Sequence, residues 1–206
     1  MNAVIKTRVL SELAALERKH RVTLLYACEA GSRAWGFPAA TSDYDVRFIY
    51  VRPRKWYRRQ ANRPARDAIV RSISDYDVIG WDLRKALAMI VHSQPTVLEW
   101  LNSPLVYFDR DNFRQRLSAT ADQVVSLEAC RFQYFRWARH NYDKLLGGPR
   151  ASVKRCCQAL RPLLAVLWLE RGLGRVPTSL GELAGRVVDW PPLQAAITSL
   201  LESGAS

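Results

Sequence analysis

Metal-binding sulfur and imidazole are scarce, with four cysteines and three histidines in 206 residues. Cys28, Cys130, Cys156 and Cys157 form no C-x-x-C pair, and His20, His92 and His140 stand at no metal-ligand spacing from them. That argues against a structural zinc site, which needs four converging ligands. The thiols read as buried or incidental groups of a reducing compartment. Long apolar runs are missing too. The longest, residues 162–169, is too short to span a bilayer, and the first twenty positions carry charge throughout instead of the apolar core of a secretory signal. A soluble, cytoplasmic protein with no membrane association is expected, and the sequence is silent on oligomeric state.

Acidic residues are also in short supply. Asp and Glu number 19 against 31 Lys and Arg, leaving a net charge of +12 and pointing to a polyanionic partner such as RNA, DNA or nucleotide phosphates. Hydrophobic residues at 49% and charged residues at 24% are ordinary for a folded domain, so disordered and fibrous classes are excluded.

Periodicity organises the rest. Apolar positions at helical spacing predict a helix over 4–18, and an apolar run over 22–30 (VTLLYACEA) predicts a buried strand broken by Gly31-Ser32. A short helical turn through Arg33 and Trp35 follows. The segment DYDVRFIYV alternates, placing Asp43, Asp45 and Arg47 on one face and Tyr44, Val46, Phe48 and Tyr50 on the other. Residues 52–66 read as a long basic loop, in which Arg54, Lys55, Arg58 and Arg59 are interleaved with Trp56 and Tyr57, a composition suited to phosphate contact and base stacking or to a solvated loop with one aromatic tucked beneath it. Strands over 68–73 and 75–81, helices over 83–91 and 95–101, and a brief strand over 105–108 come next. Beyond this point the strand patterns stop. Helices are expected over 110–120, 126–146, 152–171 and 179–187, with Phe132, Phe135, Leu163, Leu167 and Trp168 as their core. The reading is therefore an α/β part, residues 1–108, followed by a helical part, residues 109–206.

The chemistry concentrates where a buried strand, a Gly-Ser turn and an Asp-x-Asp strand follow in order. Gly31 lets backbone approach a ligand, Ser32 offers a hydroxyl, and exposed amides at a helix start favour phosphate. Asp43 and Asp45, two residues apart on one strand face, can share divalent ions that neutralise a nucleoside triphosphate and position an attacking hydroxyl. A third carboxylate is expected from a neighbouring strand, with Asp75, Asp77 and Asp82 as candidates. Asp75 falls in a turn and Asp82 has a ready role as a helix N-cap, so Asp77 is favoured. Arg47 either offsets repulsion between the acids or meets a substrate phosphate. Arg84 and Lys85 open a helix and are further candidates for the triphosphate.

The run AGSRAWGFPAATSDYDVRFIYV, with DVIGWDLRKAL, PTVLEWLNSPLVY and VKRCCQALRPLLAVLW, resembles the polymerase-β-type nucleotidyltransferases, and among them the RNA-repair, ligase-associated (RlaP or YcgL-like) family. The resemblance spans most of residues 22–170. It implies a mixed-sheet nucleotidyltransferase core, a C-terminal helical domain, and metal-dependent transfer of a nucleoside monophosphate with release of pyrophosphate. On this sequence the implied Gly-Ser motif is Gly31 and Ser32, the paired metal ligands are Asp43 and Asp45, and the third carboxylate is Asp77 or Asp82. Gly31, Ser32, Arg33, Arg47 and Lys85 are the candidate contacts to the triphosphate. The family's usual Lys-Lys-Tyr is replaced by Lys154, Arg155, Cys156 and Cys157, which leaves Lys154 and Arg161 as basic contacts from that helix. The expected cofactor is Mg2+ or Mn2+, the donor a nucleoside triphosphate and the acceptor an RNA end. Transfer to a protein or small molecule, and non-catalytic nucleic-acid binding, are the alternatives.

Overall fold

A computed structural model describes residues 3–38, 42–59, 67–73, 76–147 and 152–204. Asp75 and residues 60–66 of the expected basic loop lie outside the described residues. Five strands form one mixed sheet: β1 (Thr23–Glu29), β2 (Tyr44–Val51), β3 (Ala68–Ile73), β4 (Tyr76–Asp82) and β5 (Val106–Asp109), in the order β3-β4-β2-β1-β5. Only β2 and β4 run parallel; the other neighbours are antiparallel.

Strand alternation decides which face each side chain takes. Val46, Phe48 and Tyr50 of β2 pack with Val9, Leu13 and Leu16 of α1 (Ala3–His20), three residues at helical spacing. Ile49 goes to the opposite face and joins Tyr26, Ile90, Val97 and Leu101, where α4 (Leu83–Val91), α5 (Pro95–Leu101) and α6 (Phe113–Val124) cover the sheet. With both faces covered, the central strands read as nearly continuous apolar runs. Gly80 lies opposite Phe48 in register, and a Cβ there would stand 2.1 Å from the Phe48 ring, so the glycine makes room for the ring.

A third cluster is helical. It gathers α7 (Leu127–Leu146), α8 (Val153–Glu170), α9 (Leu180–Val187) and α10 (Pro191–Gly204). The five-residue α2 (Gly31–Trp35) is wedged between it and the sheet, because Phe37 is buried in the helical cluster and Trp35 packs against it. A buried ion pair bolts the same joint: Arg161 Nη1 of α8 lies 2.6 Å from Glu99 Oε1 of α5, and Tyr134 of α7 donates to that carboxylate at 3.1 Å. No described helix is long and apolar enough to cross a membrane.

Several expectations are corrected. The basic segment contains a helix, α3 (Arg54–Arg59), held by tertiary contacts where composition suggests loop. Residues Asp111 and Asn112 take left-handed backbone and delay α6 to Phe113. An unexpected last helix, α10, opens on Pro191-Pro192, since proline suits a first helical turn that needs no N–H donor. Phe132, Phe135 and Leu163 are 60%, 53% and 46% exposed and so are not core, whereas Trp168 is.

Candidate active site

Parallel register sets Asp45 of β2 directly beside Asp77 of β4. Arg47, two residues further along β2, reaches back over the same face. Its Nη2 lies 2.7 Å from Asp45 Oδ1 and 2.9 Å from Asp77 Oδ2, while Nη1 donates to the Asp77 carbonyl at 2.8 Å. The guanidinium is 13% exposed and the two carboxylates 30% and 37%, so the acids open to solvent over a cation tucked beneath them. Burial raises the pKa of Asp45 and the Asp77 charge adds to it, against the pull of Arg47 and of Lys154 in the first turn of α8. Lys154 is thus close enough for its charge to be felt at Asp45.

The floor of the site is rigid. Glu29 ends β1 buried, with Oε1 accepting the Asp45 N–H at 2.9 Å and Oε2 accepting the Tyr107 hydroxyl at 2.5 Å. Burial lifts its carboxyl above the ordinary range, although both hydrogen bonds oppose the shift. The Ala30 N–H donates to the Asp45 carbonyl at 2.8 Å. Next to it, Gly31 has φ +60°, and a Cβ would fall 1.9 Å from Asp45 Oδ2. Only glycine lets the α2 backbone and this carboxylate meet.

Ser32 and Arg33 tie α2 to the start of β2. The buried Ser32 hydroxyl donates to Ser42 Oγ at 3.3 Å, Arg33 Nη2 donates to the Ser42 carbonyl at 2.7 Å, and the Arg33 guanidinium lies 4.0 Å from the Tyr44 ring centre. Arg33 Nε is buried with no hydrogen-bond partner among the described residues. Asp43 is exposed just before β2, two positions ahead of Asp45. Among the described residues, no three His, Cys, Asp or Glu side chains converge as a ready metal cage.

Residues 5–205 match the family described as RlaP, RNA repair pathway DNA polymerase beta family. The chain belongs to this family. It is accordingly a polymerase-β-like nucleotidyltransferase. It is 38% identical over 199 residues to the uncharacterized protein YcgL of Bacillus subtilis (strain 168), covering 96% of this chain and 76% of that protein. A solved nucleotidyltransferase-like protein from Exiguobacterium sibiricum 255-15 aligns over 97% of this chain and 69% of its own, at 13% identity and a TM-score of 0.37.

Not every candidate is drawn to this place in the family member. Asp82 stands opposite Tyr50 at the far end of β4, five residues from Asp77 and on the other strand parity. At about 3.3 Å per residue that is roughly 17 Å. Fully buried, it caps α4 by accepting from the Arg84 N–H at 3.0 Å and takes a 2.9 Å bond from the Tyr57 hydroxyl. Lys85 lies at the same far end, 4.0 Å from Asp67. The structure therefore separates Asp82 and Lys85 from the Asp45–Asp77 pair. Arg161 is committed to Glu99 and does not reach it either.

Trp56 is half-buried and already engaged by two guanidinium groups. Arg52 and Arg84 lie 4.5 and 5.5 Å from its ring centre. Trp56→Ala is expected to lower unfolding free energy by about 1–2 kcal/mol through these two lost cation–π contacts, read as the denaturant midpoint. An unchanged midpoint would return the ring to a ligand-facing role. Glu29 and Tyr107 escaped sequence reasoning, whereas Lys154 was among the basic residues expected from its helix. One signal was available for Glu29: a carboxylate closing an otherwise apolar strand two residues before Gly31.

Proposed function

We propose that this nucleotidyltransferase moves a nucleoside monophosphate from a nucleoside triphosphate to an RNA end in the presence of Mg2+ or Mn2+, releasing pyrophosphate. The observation that carries the reading is the in-register pair of Asp45 and Asp77 beneath the bare backbone of Gly31. The donor set suits a hard divalent ion, which takes one or two carboxylates and completes its shell with water and substrate phosphate, so a full protein cage is not required. Asp45 and Asp77 would hold it, with Asp43 two positions ahead of Asp45 in the chain as the further acid of the expected set. The ion supplies neutralisation of phosphate charge and a lowered pKa at the acceptor hydroxyl.

This chain's own groups do the rest. The acceptor oxygen bonds to the α-phosphorus as the α–β phosphoanhydride bond breaks, and the hydroxyl proton leaves toward the Asp77 carboxylate or solvent. Gly31 lets the α2 backbone close onto the Asp45 carboxylate, and Arg33 brings a buried Nε with no protein partner among the described residues. Lys154 adds positive charge from α8. Residues 1–108 carry the chemistry in this reading, with residues 109–206 as the helical unit. It acts in the cytoplasm, where its four unpaired thiols stay reduced.

The test is incubation with Mg2+ or Mn2+, each nucleoside triphosphate labelled at the α-phosphate, and total RNA or total protein. Label on RNA with release of pyrophosphate is expected. Label on protein alone overturns the acceptor, and label on neither overturns the transfer reaction.

A further inference from the structure

The end of the sheet remote from Asp45 and Asp77 is strongly basic. Pairing of Thr23 with Val51 brings the C-terminus of α1 beside the exit of β2, so that Arg21 and Arg52 flank one strand pair. Helix α3 continues from there and is pinned by two bonds of the Tyr57 hydroxyl, which accepts from the Arg52 N–H at 2.9 Å and donates to Asp82. Arg54, Lys55, Arg58 and Arg59 of α3 are all exposed, and no ion pair among the described residues engages them. The acids of this end are already used. Asp82 is buried as a cap, Asp67 faces Lys85, and Glu17 faces Arg110. The positive field extends to His20, whose pKa is lowered by burial and by Lys19, Arg52 and Arg71.

We propose that this basic end, made by α3 and the C-terminus of α1, is a second RNA contact that grips the phosphate backbone at the end of β4 marked by Asp82, roughly 17 Å along the strand from Asp77. The proposal rests on the RNA reading above for its choice of polyanion. A polynucleotide fits better than a bilayer. Interfacial membrane binding needs apolar side chains to insert beside the basic ones, and the half-buried Trp56 ring is instead engaged by Arg52 and Arg84. A regular array of exposed cations without an apolar anchor matches a chain of phosphates, whose condensed counterions are released on binding.

The spacing has a consequence. Tyr57 ties α3 to Asp82, and at about 3.4 Å of rise per nucleotide along a duplex strand the roughly 17 Å of β4 between Asp77 and Asp82 corresponds to about five nucleotides. An RNA engaging both places must extend at least that far from its reacting end, so short acceptors gain nothing from the basic end.

The experiment compares the wild type with the quadruple variant Arg54→Gln, Lys55→Gln, Arg58→Gln, Arg59→Gln. Probes are a fluorescent RNA of about 20 nucleotides, one of about 3, a fluorescent nucleoside triphosphate, and phosphatidylserine vesicles. The wild type is expected to bind the long RNA with a steep salt dependence. The variant should lose at least about tenfold in affinity, with a logarithmic salt slope shallower by nearly one unit per lost contact. Binding of the short RNA and of the triphosphate should be unchanged, and the exposed substitutions should leave the melting profile as it was. Equal long-RNA isotherms for both proteins, or no long-RNA binding by the wild type, overturn the proposal, as does a loss confined to vesicles. Transfer to RNA that ignores the variant at every acceptor length defeats this inference and leaves the catalytic reading standing. Long-RNA binding through this end without label transfer does the reverse.

Discussion

Asp45→Asn and Asp77→Asn are each expected to cut nucleotidyl transfer about a thousandfold or more, while Asp82→Asn leaves turnover near wild type. Asparagine keeps the shape of aspartate and removes only its charge. A divalent ion bound through carboxylates contributes several kcal/mol of transition-state stabilisation, and about 4 kcal/mol is three decades of rate. The fold should survive either change, because Arg47 retains the other acid as a partner and the repulsion between neighbouring carboxylates disappears. Asp82→Asn acts on different ground. Its oxygen still caps the Arg84 N–H and its new amide faces the Tyr57 hydroxyl, for a stability cost of about 1 kcal/mol. Steady-state rates paired with thermal melts separate the two outcomes. A rate within tenfold of wild type for Asp45→Asn or Asp77→Asn would remove that pair from the chemistry, and a collapse with Asp82→Asn alone would move it to the far end of β4.

The choice between Asp77 and Asp82 marks the limit of legibility. Both flank one apolar strand, and which of them meets Asp45 depends on the register between β2 and β4. That parallel pairing is non-local, joined through α3 and β3, and no turn motif reports it. The alternation within β2 needs no partner strand to be read, and Arg47 does fold back onto Asp45 from the same face. Local signals likewise place β3, α4 and α5 at their observed bounds. They fail where a tertiary contact supplies the stability. Helix α3 consists of arginine, lysine and two aromatics, and it is ordered by guanidinium groups on Trp56 and by Asp82 on Tyr57. Helical periodicity in α7 reveals an apolar stripe but cannot say what covers it, which is why Phe132 and Phe135 were expected in the core and are exposed. Arg161 illustrates the same gap from the other side: a charged residue in a basic chain reads as a ligand contact, and only the fold discloses Glu99 beside it.

That pair carries the largest expected effect on stability. Arg161 is 2% exposed and the Glu99 side chain 10%, at an Nη1–Oε1 distance of 2.6 Å. The guanidinium also donates from Nε to the Thr178 carbonyl at 3.0 Å and lies 4.8 Å from the Trp35 ring centre. It therefore fastens α5 and α2 to α8, the helix whose Lys154 charge is felt at Asp45. Arg161→Met leaves a buried carboxylate with only the Tyr134 hydroxyl for company, and Glu99→Met leaves a buried cation on carbonyls. Each is expected to lower unfolding free energy by about 3–5 kcal/mol, because an uncompensated buried charge costs more than the pair it came from. Replacing both with methionine removes both charges and fills the space with apolar volume, so the double variant should recover a large part of the loss. Urea midpoints for the four proteins measure the coupling directly. A single substitution that costs less than about 1 kcal/mol, or a double variant no more stable than the sum of the two losses predicts, would show that the joint between sheet and helices is held by the apolar packing of Trp35 and Phe37 instead.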